Sequence, residues 1–243
     1  MEYQISIMKK IIQKILKKAG VQLKEFPTGD LARRIKIINN NKIDIILDVG
    51  ANVGNYALGM RELGYTKKII SFEPLETAFQ SLSKNAKKDP NWVICNYALG
   101  DADEESTINV AGGNSESSSL LNMLPSHEAT YAESKYIDTQ NIQVKKLDSV
   151  YSTFCNPHNN VMLKIDTQGY EKNVIDGSSE SLRHIKIIQL EMSIVPLYEN
   201  EMLFEEMISY LTAKDFGLFS LETGYSDRES GQLFQIDGVF VKK

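Results

Sequence analysis

Three stretches of the sequence hold residues whose types and spacing can do chemistry. The first is Asp48-Val49-Gly50-Ala51-Asn52-Val53-Gly54, where glycines let the backbone turn sharply and leave no Cβ between it and a ligand. Asn52 suits such a turn because Asn tolerates positive φ better than most residues. The G-x-x-x-G spacing differs from the G-x-G-x-x-G dinucleotide fingerprint and lacks a Walker lysine, so no phosphate cradle is expected. Alone, the loop fits a structural turn nearly as well. The second is Glu73 in Ser71-Phe72-Glu73-Pro74, about 20 residues past the loop, where a carboxylate can accept both hydroxyls of a ribose. Alone, it would be a solvated charge at a helix start. Together, loop and Glu73 point to an adenosine-type ligand, and Asn96-Tyr97-Ala98-Leu99-Gly100-Asp101 has small and polar groups suited to the border of an adenine ring. The third is Lys164-Ile165-Asp166-Thr167-Gln168-Gly169-Tyr170-Glu171. Lys164 and Asp166 share one face of a strand. Such a pair at the buried end of a central strand is costly unless used or fully paired.

Each stretch follows a short apolar run, and the runs alternate with amphipathic helices. Strands are expected at Ile43–Val49, Lys68–Phe72, Trp92–Cys95, Val161–Ile165 and Ile185–Leu190, with a closing pair at Gly217–Leu221 and Gln235–Val241. Helices are expected over Asp30–Asn39 with Asp30 as cap, and over Asn55–Leu63, Leu75–Lys88, Glu171–Leu182 and Glu199–Lys214. This alternation predicts an α/β fold with a doubly wound parallel sheet, whose ligand lies beyond the C-terminal strand ends. Residues 101–148 break the pattern with Gly112-Gly113, a serine run at 115–119 and Pro125, and read as an insertion or lid over the site. Two β-like pieces lie inside it, Ser106–Val110 and Asn141–Lys146.

DVGANVGNY, FEPLETAFQSLSKN, NYALGD, KKLDS and LKIDTQGYE, in that order, resemble the FkbM family of S-adenosylmethionine-dependent methyltransferases, from about residue 44 to the closing FQIDGVFV strand. The resemblance implies the class I methyltransferase (Rossmann-like) fold: a seven-stranded sheet of order 3-2-1-4-5-7-6 with only the last strand antiparallel. It also implies S-adenosylmethionine as cofactor and O-methylation of a sugar, polysaccharide or secondary-metabolite hydroxyl. One departure stands out, because the family's Asp-x-Glu-Gly reads Asp166-Thr167-Gln168-Gly169 here. On this reading Gly50, Ala51, Asn52 and Gly54 surround the methionine part and Glu73 takes the ribose. Ala98 and Gly100 flank the adenine, and Asp48 holds the loop or the amino group. A sugar hydroxyl is a weak nucleophile, so a general base is required. Asp166 is the first candidate, then Glu191 at the end of the fifth strand, then His127 from the insertion, with Lys164 beside Asp166 in the catalytic group. Tyr56, Tyr170 and Ser117–Ser119 are candidate pocket walls, whereas His158 and His184 read as structural or solvated. No ligand spacing demands a metal.

Composition narrows the alternatives. The 243 residues are 42% hydrophobic and 24% charged, as in an ordinary globular chain. The net charge of -5 and the lack of a basic, aromatic-interleaved stripe disfavour a nucleic-acid partner. Cys95 and Cys155 are too few for a disulfide framework, so a cytoplasmic setting is expected. A nicotinamide-dependent oxidoreductase and a non-catalytic binding domain share the fold; the loop spacing argues against the first. Two units are expected, a helical extension over residues 1–40 and a methyltransferase domain over 41–243. Residues 1–24 carry six lysines against Glu2. Their apolar residues Ile5, Met8, Ile12, Ile15 and Leu16 recur at helical spacing. That stripe is expected to pack on the main domain; the alternative is contact with an anionic membrane surface, peripheral at its inner face.

Overall fold

The computed structural model describes residues 8, 12–18, 20–21, 25–113, 115–125, 127, 134–227 and 229–243. Residues 12–18 are helical, and Met8, Ile12 and Ile15 stand exposed with Leu16 half-buried, so these side chains are not laid on the main domain as expected. Ile5 lies outside the described residues. One sheet face is covered by α1 (Gly29–Asn40), which buries Ile37 and Ile38 against Ile43 and Ile46. Thr28, not Asp30, caps it: the Thr28 hydroxyl accepts from the Leu31 N–H at 3.4 Å, while Asp30 pairs with Arg33 at 2.9 Å.

The remaining elements are β1 (Ile45–Val49), α2 (Asn55–Glu62), β2 (Lys68–Phe72), α3 (Glu76–Ala86), β3 (Trp92–Cys95), β4 (Ala98–Leu99), β5 (Glu104–Ala111), β6 (Tyr136–Lys145), α4 (Leu147–Phe154), β7 (Val161–Ile165), α5 (Glu171–Asp176), β8 (Ile185–Ser193), α6 (Phe204–Thr212), β9 (Phe216–Thr223) and β10 (Gln235–Lys242). Seven strands form one sheet in the order β3-β2-β1-β7-β8-β10-β9. The pairs β1/β2, β1/β7, β2/β3 and β7/β8 are parallel, and β10 runs antiparallel to both β8 and β9. This is the expected 3-2-1-4-5-7-6 sheet with its last strand reversed. β1 and β7 are buried along their whole length and, apart from Asp48 and Lys164, apolar, because both of their faces are covered.

Three local differences have physical causes. The expected insertion carries a second sheet of order β4-β6-β5, and β5 and β6 pair antiparallel over most of their length, well beyond the two short pieces read from the sequence. α4 begins at the insertion's expected end, and Asp148 there accepts from the Glu180 and Ser181 backbone N–H groups at 3.0 and 2.8 Å. The helix expected over Glu171–Leu182 stops at Asp176. Past it, Ser178 and Ser179 turn their hydroxyls onto the Val174 and Asp176 carbonyls at 2.6 and 2.8 Å, and a 3-10 turn, Ser181–His184, follows.

Candidate active site

Two rows of side chains cross the C-terminal edge of the sheet. In the lower row Ser71, Asp48, Lys164 and Gln189 stand in register on β2, β1, β7 and β8, and all four are buried. Trp92 Nε1 donates to Ser71 Oγ at 2.9 Å, and Ser71 Oγ donates to Asp48 Oδ2 at 2.9 Å. Lys164 Nζ lies 3.2 Å from Asp48 Oδ1 and 3.5 Å from Asp166 Oδ2, and donates to the Gly50 carbonyl at 3.3 Å. Tyr56 donates to Gln189 Oε1 at 3.1 Å, and its ring lies beneath the Lys164 ammonium. Burial by itself would lower the Lys164 pKa; the Asp48 and Asp166 charges outweigh it and hold the ammonium above its usual value. Lys164 is therefore a fixed cation that ties the glycine loop to the third motif.

Side chains alternate along a strand, so the residues two positions further on form the upper row on the same face. They are Glu73, Gly50, Asp166 and Glu191, continued by Asp237 and Glu222, which stand opposite one another on β10 and β9, with Asp237 also opposite Glu191. Gly50 is a gap in this row by necessity. Its φ is +74°, and a Cβ there would lie 1.8 Å from the Asp166 carbonyl oxygen. A row of like charges on neighbouring strands is unfavourable, so each carboxylate needs its own account.

Glu73 accepts from the Asn52 N–H and the Leu75 N–H, both at 2.8 Å, and burial nevertheless raises its pKa to about 7. Asp166 takes Lys164 and the Gln168 amide, the latter at 2.9 Å. Glu191 Oε2 accepts from Gln168 at 2.8 Å and Gln235 at 2.7 Å, whereas its Oε1 has no hydrogen-bond partner among the described residues. Burial first, then the Asp166, Asp237 and Glu171 charges, raise the Glu191 pKa well above the ordinary 4.5. Glu222 is ion-paired with Arg34 of α1. Asp237 makes no hydrogen bond or ion pair among the described residues; burial and the neighbouring Asp166 charge raise its pKa to about 6.

A cavity of ≈ 460 Å³ lies over this edge. From β2 to β10 is four strand spacings, roughly 19 Å. Near β2 the cavity is walled by Glu73, Pro74 and the apolar Leu75, Ala98, Leu99 and Ile108, and near β10 by Arg34, Gln189, Glu191 and Asp237. The insertion forms part of the wall, where Asn52 Nδ2 donates to Ser115 Oγ at 3.0 Å and Ser119 Oγ donates to the Gln168 carbonyl at 2.7 Å. Gln168 stands at φ +56°, and Glu171 steadies its turn by accepting from the Thr167 N–H at 2.8 Å.

Of the sequence-predicted residues, Gly50, Ala51, Asn52, Glu73, Ala98, Lys164, Asp166 and Glu191 line the cavity, as do Tyr56, Tyr170, Ser118 and Ser119. The others lie elsewhere. Asp48 is beneath the loop, and Gly54 caps α2 against Trp92. Gly100 sits behind Tyr170, and the buried Ser117 gives its carbonyl to Tyr198. His127 is buried edge-on against Tyr198, and burial lowers its pKa to about 4. Tyr198 in turn donates to Gln168 Oε1 at 2.8 Å, so His127 stands behind the site. His184 stacks on Tyr151 and His158 is exposed. Sequence reasoning missed Arg34, Gln189, Gln235 and Asp237. A polar Asp within the apolar FQIDGVFV was the available signal for the last.

A seven-stranded sheet of this order, with a cavity over the glycine loop and a carboxylate after β2, defines a class I methyltransferase. The family model of the FkbM methyltransferase domain matches residues 48–218, and the chain belongs to that family. The 2-O-methyltransferase NoeI of Sinorhizobium fredii (strain NBRC 101917 / NGR234) is 22% identical over 192 residues, covering 76% of this chain and 79% of NoeI. Among solved structures, the 1,6-didemethyltoxoflavin-N1-methyltransferase of Burkholderia thailandensis superposes with a TM-score of 0.49 at 7% identity, covering 100% of this chain and 90% of that one. TehB of Haemophilus influenzae gives 0.47 at 12% identity, covering 88% of this chain, which spans 62% of TehB.

The cofactor is S-adenosylmethionine, and the residues present fit it. Gly50 opens the floor, the fixed Glu73 carboxylate suits a ribose, the Leu75–Ala98–Ile108 wall suits a purine, and Asp166 and Glu191 suit a sulfonium cation. Among the described residues no group of three or more His, Cys, Asp or Glu is arranged to hold a metal ion.

Proposed function

We propose that this methyltransferase acts on oxygen, at a hydroxyl of a sugar, polysaccharide or secondary-metabolite acceptor, with Glu191 as general base. The observation that carries this reading is the state of Glu191: a cavity-lining carboxylate with raised basicity, one oxygen fixed by two amides and the other without a hydrogen-bond partner among the described residues. S-adenosylmethionine supplies the electrophilic methyl group. The chain's task is to hold the acceptor oxygen within about 3–3.5 Å of that carbon, in line, and to keep water out. Glu191 Oε1 accepts the hydroxyl proton as the oxygen attacks. Asp166, held by Lys164 and Gln168, would lie on the sulfonium side, and Glu73, Gly50, Ala51, Asn52 and Ala98 would hold the donor. Lys164 and Asp48 act through the loop they fix.

Calorimetric titration with S-adenosylmethionine, S-adenosylhomocysteine, NAD and NADP, alongside transfer assays on the wild type and Glu191→Gln, tests the proposal. Binding of the first two alone, with transfer lost in the variant and donor affinity kept, is expected. Binding of a nicotinamide, or normal turnover in Glu191→Gln, overturns it. The exposure of Met8, Ile12 and Ile15 beside Lys14, Lys17 and Lys18 supports peripheral contact with an anionic membrane face. Liposome co-sedimentation with and without residues 1–20 decides that point.

A further inference from the structure

We propose that Asp237 selects the acceptor, by taking a hydrogen bond from a hydroxyl adjacent to the one methylated, and that it confines the reaction to neutral polyols. The inference rests on the O-methyltransferase reading above and adds the residue and the substrate class.

The upper row supplies the contrast. Glu73 is held by two backbone N–H groups, Asp166 by Lys164 and Gln168, Glu191 by two amides, and Glu222 by Arg34. Asp237 alone in the row has no protein partner among the described residues, although it lines the cavity and stands directly opposite Glu191 on the neighbouring strand. A partly buried carboxylate without a donor is unfavourable, and a ligand hydroxyl relieves it. Directly opposed residues have Cβ atoms about 4.5–5.5 Å apart, a separation that lets two carboxylates take two neighbouring hydroxyls of one ring. Glu191 then takes the reacting hydroxyl and Asp237 the next.

The chemistry of the surroundings decides among ligand classes. This end of the cavity offers both acceptors and a donor group: the Asp237 and Glu191 oxygens on one side, the Arg34 guanidinium on the other. Hydroxyls both donate and accept, whereas an ammonium only donates and a phosphate or carboxylate only accepts. The two cations here are already matched, Lys164 with Asp48 and Asp166, and Arg34 with Glu222. An anionic acceptor would meet three carboxylates with no unmatched cation among the described residues lining this end, and an ammonium would lie beside the sulfonium of the donor.

The test uses the full chain, a radiolabelled methyl donor, and a panel of neutral, amino-bearing and uronate- or phosphate-bearing oligosaccharides. Label is expected in neutral acceptors, and deoxygenation next to the methylated position should abolish it. For the best acceptor, Asp237→Ala should raise KM about 10- to 100-fold, with kcat and calorimetric donor affinity little changed, and Asp237→Asn should recover part of the loss. Labelling of anionic acceptors overturns the inference, as does an Asp237→Ala enzyme with unchanged acceptor KM. Donor binding with no labelled saccharide also overturns it and leaves the methyltransferase assignment standing, whereas loss of donor binding by the wild type would refute the underlying reading instead.

Discussion

Replacing Glu73 by Gln separates what the fold loses by burying this carboxylate from what the donor gains by it. In the donor-free protein burial raises the pKa from 4.5 to about 7, against the pull of the Asn52 and Leu75 N–H groups. That difference corresponds to about 3 kcal/mol of disfavoured ionisation in a nearly fully buried group. The carboxyl is protonated in both folded and unfolded chains below 4.5, so its cost is absent there. The cost accumulates as pH rises from 4.5 to about 7 and is complete above that. A glutamine mimics the protonated acid, including the one N–H that neither can satisfy, and does not titrate. The variant's stability relative to wild type should therefore increase by about 2–3 kcal/mol between pH 5 and pH 8. Donor affinity should move the other way: loss of the charged partner of the ribose hydroxyls costs about 1.5–3 kcal/mol, or roughly 10- to 150-fold in Kd. Urea unfolding followed by the single tryptophan, Trp92, at pH 5, 6, 7 and 8 gives the first quantity, and calorimetric titration at pH 8 the second. A stability difference that stays flat across this range, or an unchanged donor Kd, would refute the reasoning.

Gly50→Ala should abolish donor binding and lower Tm, because the new methyl group meets the Asp166 carbonyl at 1.8 Å in a backbone already at positive φ; differential scanning calorimetry and donor titration check both effects. Lys164→Met leaves the buried Asp48 carboxylate without its cation and should cost about 3–5 kcal/mol of stability, read by urea denaturation. Gln168→Glu restores the family residue but replaces the amide that donates to both Asp166 and Glu191 with a third carboxylate. It should hold a proton in the cluster to higher pH, so the acid limb of the turnover profile moves upward and turnover at pH 7 falls. An acid limb that stays in place would remove Glu191 from the base role.

The strands at Lys68–Phe72, Trp92–Cys95 and Val161–Ile165 were legible to the residue because each is a short apolar run bounded by polar or turn-forming residues. α4 was not: Leu147–Phe154 holds two serines, a threonine and a valine, and its place comes from Asp148 holding the Glu180–Ser181 backbone. The donor side of the site was readable for a related reason, since it consists of residues directly following parallel strands, where sequence position and spatial position coincide. Its acceptor side is built by register between distant segments. Gln189 gains its role only by standing opposite Lys164, and Asp237 only by standing opposite Glu191. Arg34 arrives from a helix that precedes the whole sheet and reaches it through Glu222.

The two rows also divide the work by energetic kind. The lower row is largely tied together: indole, hydroxyl, carboxylate, ammonium and loop carbonyl follow one another, which fixes the glycine loop whatever is bound. Among the described residues the upper row stays open at Glu191 Oε1 and at Asp237, and both residues line the cavity. The family match spans residues 48–218 and so contains the whole lower row and, of the upper, Glu73, Gly50, Asp166 and Glu191, while Arg34 and Asp237 fall outside it. On the proposed reading, donor binding and proton removal are thus carried by the matched core. Choice of acceptor is carried by α1 and β10, the parts through which two chains of this family with the same chemistry can differ in substrate.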